Sequence, residues 1–361
     1  MQNIINILVF LLILGSIIII HELGHFLAAK FFGVYCAQFS MGFGPKIWSK
    51  KGKETEYEIR AIPFGGFVAM AGEEDQLENE ELKDIPLERT LKGKKTYQKV
   101  IIFFAGVFMN FVLAFVVLFG VYVTSGQIGV NEAQIGKIEQ GSPAQIYGMC
   151  EGDVIRQMTI QETNAQILVS DFKDISLTKE KVKTDRQEIT IVMNFERDGQ
   201  PQELEMKVSY NEGEGRYILG VLQATRDMSI AEAFQYTFVS FGQMSTAIFS
   251  ALAQLVTKFS ETVTQLSGPA GIYQITAEVT QAGQVQYIFN LLAMLSINVG
   301  IFNLLPIPGL DGCQILFALV EKAVGRELPQ KLKLTLQMIG LGLVLLLMVF
   351  VTYQDIMRML G

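Results

Sequence analysis

Four stretches of this chain are almost wholly apolar. Residues 3–20, 100–125, 287–310 and 335–354 contain no Asp, Glu, Lys or Arg. A helix needs about 20 such residues to cross the hydrocarbon core of a bilayer. The pattern therefore predicts an α-helical polytopic membrane protein with four transmembrane helices. Between the second and third runs the pattern changes: residues 126–228 are charged throughout and long enough for a soluble domain. Residues 229–260 are intermediate. Their polar positions recur along the whole length, which predicts an amphipathic helix at the interface rather than a fifth span.

The predicted organisation is a first span over 1–30, a segment over 31–98, a second span over 99–125 and the soluble domain over 126–228. Interfacial helices over 229–285, a third span over 286–313, a loop over 314–334 and a fourth span over 335–357 complete it. The N-terminal run lacks a basic leader and a small-x-small cleavage site, so it reads as a retained span.

Composition agrees with a membrane protein. Half the residues are hydrophobic and only 18% are charged, below the roughly 25% of soluble domains. A net charge of −7 argues against nucleic acid as a partner. The acidic run at 73–84 reads as a solvated loop. Cys36, Cys150 and Cys313 lie far apart and form no disulfide framework or C-x-x-C metal pattern.

Charge also orients the chain. No Lys or Arg precedes the first span, twelve lie between Lys30 and Lys99, and Lys322, Arg326, Lys331 and Lys333 follow the third. The positive-inside rule then puts 30–99 and 321–333 in the cytoplasm, with both termini and the soluble domain outside.

The first run ends in a cluster of ionisable groups, "HELGH" at 21–25. His21 and His25 are i and i+4, on one helical face, where they can grip one metal ion. Glu22 stands beside them, placed to act as a base on the attacking water. The chain has only two histidines, and both are here. Each ionisable group costs about 2.5 kcal/mol or more at the bilayer centre, and a bound zinc ion offsets that cost.

Two imidazoles leave a catalytic zinc one protein ligand short of three. With no third histidine, the ligand must be Asp, Glu or Cys. The third run closes with "NLLPIPGLDGCQI", in which Pro306 and Pro308 break the helix and Asp311 follows at membrane depth. Asp311 is the leading candidate, and Cys313 is a softer rival two residues on. With four spans Asp311 lies at the depth of His21 and His25; a fifth span would place it on the opposite side.

These motifs resemble those of the bacterial site-2 proteases, zinc intramembrane metalloproteases with one PDZ domain, of the regulator-of-sigma-factor type. "HELGH" is similar to the first family motif, and "NLLPIPGLDG" at 303–312 to the second. "PFGGFVAM" at 63–70 resembles the family's membrane-re-entrant β-hairpin, which would occupy about 43–70. "AGVFMNF" at 105–111 resembles the second-span motif, and "LSGPAGI" at 266–272 the segment before the third span. The chain departs from the family pattern at Val107, where proline is frequent, and at Cys313-Gln314, where Gly-His is frequent. The stretch 135–158 resembles a PDZ domain of α+β fold, and "RYILGVL" at 216–222 its peptide-accepting strand.

The resemblance implies one zinc per chain, held by His21, His25 and Asp311, with Glu22 as catalytic base. It also implies cleavage of single-span membrane proteins, such as anti-sigma factors, after an upstream site-1 protease has removed their outer part. The enzyme would sit in the bacterial inner membrane, with its PDZ domain extracytoplasmic and its active site near the cytoplasmic face. Gly65 and Gly66 suit a bent hairpin offering a strand edge to substrate. Asn298 and Asn303 are candidate substrate contacts, with helix–helix hydrogen bonding as the alternative. Asn110 reads as packing. The PDZ would either capture peptide ends or exclude bulky substrates. Two other functions compete. A non-catalytic PDZ adaptor with a structural zinc would not need Glu22, and a metal transporter would need more polar residues across its spans.

Overall fold

The computed structural model describes residues 2–73, 85–130, 132–258 and 267–360. Most of the acidic segment, 74–84, lies outside the described residues, as do Leu266 of the "LSGPAGI" segment and the side chains of Pro63 and Phe64.

The chain divides into two units, one of residues 1–124 with 233–361 and one of residues 125–232. The first begins with α1 (Gln2–Phe31), then β1 (Cys36–Lys51), β2 (Glu56–Met70) and α2 (Thr96–Ser125). The second unit is rich in β-strand and contains two short helices, α3 (Pro143–Ile146) and α4 (Lys179–Val182). Helix α5 (Ile230–Thr257) returns the chain to the first unit, followed by α6 (Pro269–Gln281), α7 (Val285–Asn303), α8 (Asp311–Val324) and α9 (Gln330–Leu360). Among the described residues four helices are long and apolar enough to cross a membrane: α1, α2, α7 and α9. Helix α5 is not among them.

Helix α1 buries Asn6, Phe10, Ile13, Ile17, His21, Gly24, His25 and Ala29. These recur every three or four positions, so they form one stripe, and the two histidines continue it. Helix α2 buries a matching stripe that includes Ile102, Gly106, Asn110, Ala114 and Leu118. The stripes meet where both helices carry glycine. A Cβ on Gly24 would lie 2.2 Å from the Ala105 carbonyl oxygen, so the two backbones are in contact. Small residues permit such approach, and helix packing in lipid depends on it.

Helix α6 sets Ile272, Ile275 and Val279 against Ile13 and Ile17 of α1 and Leu291 and Leu295 of α7. Its N-terminus is held by Asp355 of α9, whose Oδ2 accepts from the amides of Gly268 and Gly271, both at 2.8 Å. Helix α5 lies along α2 through a row of aromatic contacts, Phe234–Phe119, Phe238–Phe115 and Phe241–Phe111. The Tyr122 and Ser240 hydroxyls share a hydrogen bond at 2.6 Å. The sequence places α5 in the interfacial segment 229–285; in the structure its inner face packs on a span.

Strands β1 and β2 form a bent two-stranded sheet. The first half of β1 pairs with the end of β2 (Cys36↔Met70, Phe39↔Val68, Met41↔Gly66), and its second half with the start (Trp48↔Ile59, Lys51↔Glu56). The bends fall at Gly42, Gly44 and Gly65, all with φ between +84° and +92°. Such backbone favours glycine, which has no Cβ to clash.

Two expectations need correction. The third span does not run to residue 313: α7 stops at Asn303, and Asp311 opens a new helix. Pro306 and Pro308 remove two backbone donors and enforce the break. Residues 314–324 are helical, because α8 occupies 311–324, and only the short stretch 325–329 before α9 is irregular. Helix α8 buries Gly312, Cys313, Phe317 and Ala318, an amphipathic stripe too short to stand out beside the spans.

In the second unit, a five-stranded antiparallel sheet contains β5 (Val154–Ile160), β6 (Ala165–Leu168), β7 (Glu188–Arg197), β8 (Gln200–Asn211) and β9 (Arg216–Tyr217). Its spatial order is β6-β5-β7-β8-β9. Separately, β4 (Ile135–Ile138) pairs with β10 (Val221–Gln223), and β3 (Gln127–Gly129) with β11 (Thr225–Asp227). The core gathers Ile155, Met158, Ile160, Ile189, Ile191, Met193, Met206 and Val208, the inward alternate residues of β5, β7 and β8. Asp153 is buried and paired with Arg197 through two contacts of 2.7 Å.

Candidate metal centre

Three ligand-type atoms converge below the apolar run of α1. His21 Nε2 lies 3.1 Å and His25 Nε2 3.3 Å from Asp311 Oδ2, and the two Nε2 atoms are 3.2 Å apart. Among the described residues this is the group of three side chains placed to hold a metal ion. Both histidines are buried and Asp311 is partly so. Cys313, the rival ligand, is buried but not part of the cluster.

The arrangement fits zinc. A tetrahedral site with bonds of about 2.0–2.1 Å has ligand–ligand edges of about 3.3 Å, close to the observed separations. The protonation pattern agrees. His25 Nδ1 lies 2.8 Å from the Ile102 carbonyl, which only an N–H can satisfy. In the neutral ring this bond leaves the Nε2 lone pair facing Asp311. Asp311 Oδ2 is buried with no neighbour aligned to donate a hydrogen bond. A neutral imidazole nitrogen and a carboxylate oxygen facing one another in a buried site suit a cation between them.

Local sequence explains each position. The histidines lie on the buried stripe of α1, about 28 Å (His21) and about 34 Å (His25) along the helix from Gln2 at 1.5 Å per residue. Asp311 is brought in by the turn after Pro308, where Gly309 has φ +96°. Gly312 has no room for a side chain: a Cβ would sit 2.3 Å from the Leu304 carbonyl oxygen. Gly106 of α2 clears the space for the imidazoles, since a Cβ there would come within 2.3 Å of His25 Nε2.

The site opens into a cleft of about 690 Å³ lined by His21, Glu22, His25 and Asp311. Glu22 faces the hairpin, because a Cβ on Gly66 would lie 3.0 Å from its Cγ. Gly65, Gly66 and Asn303 also line the cleft. Asn298 does not: Asn303 ends α7 at the cleft, whereas Asn298 is five residues, about 1.4 turns, earlier on another face. Asn110, read from the sequence as packing, instead lies beside His21, with its amide nitrogen 3.2 Å from Nδ1. A polar residue one turn after Gly106 on the buried stripe of an apolar span was the available signal.

A protein with apolar spanning helices around a two-histidine, one-carboxylate centre is a membrane metallopeptidase in its architecture. The chain belongs to peptidase family M50, the site-2 protease family, whose profile it matches over residues 9–347. It is 35% identical over 361 residues to a protein of Fusobacterium nucleatum named as a zinc metalloprotease, covering 98% of each chain. It is 30% identical over 429 residues to the regulator of sigma-W protease RasP of Bacillus subtilis, covering 98% of this chain and 99% of the other. A zinc metalloprotease by name from Clostridium perfringens is 32% identical over 359 residues. The chain is thus a metalloprotease of family M50 with helices apolar enough to cross a membrane.

Proposed function

We propose that this protein hydrolyses peptide bonds within or next to the spans of single-span membrane proteins, with one zinc per chain held by His21, His25 and Asp311. The supporting observation is the convergence of those three side chains beside Glu22, in an open cleft at the end of an apolar helix. A purely structural zinc site is closed, whereas a catalytic one keeps an open position. When bound, zinc acts as a Lewis acid, polarising a carbonyl and lowering the pKa of a water toward about 7. Glu22 takes the proton of the attacking water and passes it to the leaving amine.

The hairpin prepares the substrate. A peptide bond in a helix is hydrogen-bonded and shielded, so it must unwind before attack. The segment Gly66–Met70 pairs with β1 and lines the cleft, supporting a role as the edge to which an extended substrate adds. Asn303 supplies an amide for the unwound backbone. Phe43, Ile47, Trp48 and Ile62 are exposed on the hairpin, which supports its dipping into the bilayer as a re-entrant element.

The second unit is a PDZ domain in this reading, supported by the Ser142-capped helix after β4 and by a groove of about 320 Å³ alongside Tyr217–Leu222. The lysine and arginine distribution supports an extracytoplasmic side for residues 126–228 and a zinc site near the cytoplasmic face of a bacterial inner membrane. The likeness to RasP supports anti-sigma factors as a substrate class, presented after a first cut by another protease.

The test is cleavage of a model single-span substrate by wild type and Glu22→Gln in proteoliposomes, with zinc measured in both. Zinc retained and cleavage lost in the variant is the expected result. Undiminished cleavage would refute the assignment of the base, and a wild type that binds zinc without cleaving would favour the adaptor reading.

A further inference from the structure

Helix α2 provides more than packing to the metal centre. Ile102, Gly106 and Asn110 follow one another at i, i+4 and i+8 on its buried face. The Ile102 carbonyl accepts from His25, and Gly106 makes room for both rings. Asn110 is fully buried and lies against the remaining ring nitrogen, His21 Nδ1. Its own backbone is held in turn, because the Ser296 hydroxyl of α7 donates to the Asn110 carbonyl at 2.8 Å.

The amide as placed presents Nδ2 to His21 and leaves Oδ1 buried without a partner. That orientation suits a ring with its proton on Nε2. A ring that gives Nε2 to a metal carries its proton on Nδ1, and two donors would then face each other. Rotating the amide by 180° exchanges its nitrogen and oxygen at almost no change of shape. Oδ1 then accepts the Nδ1–H, and both the donor clash and the orphaned oxygen disappear.

We propose that Asn110 is the positioning residue of His21, fixing its tautomer and ring plane through an Nδ1–H···Oδ1 hydrogen bond. The inference rests on the zinc reading above and adds to it a division of labour: α1 and the start of α8 supply the ligands, while α2 supplies the acceptors that orient both imidazoles. A buried acceptor behind a ligating histidine raises its basicity, and removing one commonly costs 10–100-fold in metal affinity.

The test uses full-length protein in nanodiscs. Zinc affinity is measured by chelator competition for wild type, Asn110→Asp and Asn110→Leu. Leucine has similar bulk and no acceptor, and aspartate restores the acceptor. The proposal expects a 10–100-fold loss for leucine and a loss within about threefold for aspartate. The second readout is the ¹⁵N imidazole spectrum of zinc-loaded wild type, which is simple because the chain has two histidines. Both rings are expected as Nδ1–H tautomers, with the His21 proton protected from exchange in wild type and exposed in Asn110→Leu. Wild-type affinity in Asn110→Leu, or equal weakness in the aspartate variant, would overturn the proposal. So would an Nε2–H tautomer at His21 in the zinc-loaded protein, a readout that needs no variant to fold. A wild type that binds no zinc would defeat the zinc reading and this inference together; the other outcomes defeat this inference alone.

Discussion

Replacing Gly106 with alanine presses a methyl group directly on the metal centre. The added methyl would sit 2.3 Å from His25 Nε2, 2.6 Å from its Cε1 and 2.9 Å from His21 Cε1. Ordinary contact begins near 3.4 Å, so the closest pair must separate by about 1.1 Å. Neither side can yield freely. His25 is tethered to the Ile102 carbonyl of α2, one turn before Gly106, and the α1–α2 backbones already touch at Gly24. A misplacement of about 1 Å at a reacting centre commonly costs on the order of 100-fold in rate. The same substitution favours the helix itself by roughly 0.5–1 kcal/mol, because alanine has the better propensity. Overpacking of this kind costs about 1–3 kcal/mol, so the expected result is a variant whose metal-free form is somewhat less stable than wild type and whose zinc affinity and cleavage rate both fall about 100-fold. Gly120→Ala is the control: it lies in the same helix with nothing within 4 Å of the new Cβ, and should behave as wild type. Cleavage and zinc content measured side by side decide the matter. Gly106→Ala with wild-type values for both would refute the geometry of the site.

Gly66→Val presses on Glu22 Cγ and on the Ser40 carbonyl oxygen, 3.0 and 2.9 Å from the new Cβ, so cleavage should fall at least tenfold with zinc content unchanged. Asp355→Ala removes two charge-assisted hydrogen bonds from the N-terminus of α6; hydrogen exchange across 268–281 should accelerate by an amount equivalent to about 3 kcal/mol of local stability. Glu232 completes a capping box with Ser229 at the start of α5, and the Arg226 guanidinium, followed by the Ser229 hydrogen bonds, lowers its pKa to about 2. Its contribution is present above the ordinary carboxylate range near 4.5 and is lost as pH falls toward 2, so amide exchange in the first turn of α5 should rise across that interval in wild type but not in Glu232→Gln.

Much of this arrangement was legible in the residue pattern because its causes are local. An apolar run of about 20 residues has few alternatives in a bilayer, and two histidines at i and i+4 share a face wherever the helix goes. The proline pair before Asp311 announces a break in any context. What could not be read depends on how helices meet. Nothing in 96–125 taken alone says that Asn110 faces a histidine eighty-nine residues earlier; that follows from the glycine-to-glycine contact between α1 and α2. Asn298 and Asn303 have the same chemistry, and only their helical phase separates the one lining the cleft from the one that does not. Helix α8 was missed because its 14 residues follow an irregular turn and carry a short amphipathic stripe that the neighbouring spans overshadow.

The central claim is that two imidazoles from one helix and a carboxylate from another hold a zinc ion. X-ray absorption at the zinc edge of the purified, full-length protein tests it directly. The account predicts one zinc per chain with nitrogen and oxygen scatterers at about 2.0–2.2 Å and loss of the metal in Asp311→Ala. A sulfur scatterer at about 2.3 Å, as Cys313 would provide, or an unchanged spectrum in Asp311→Ala would contradict it.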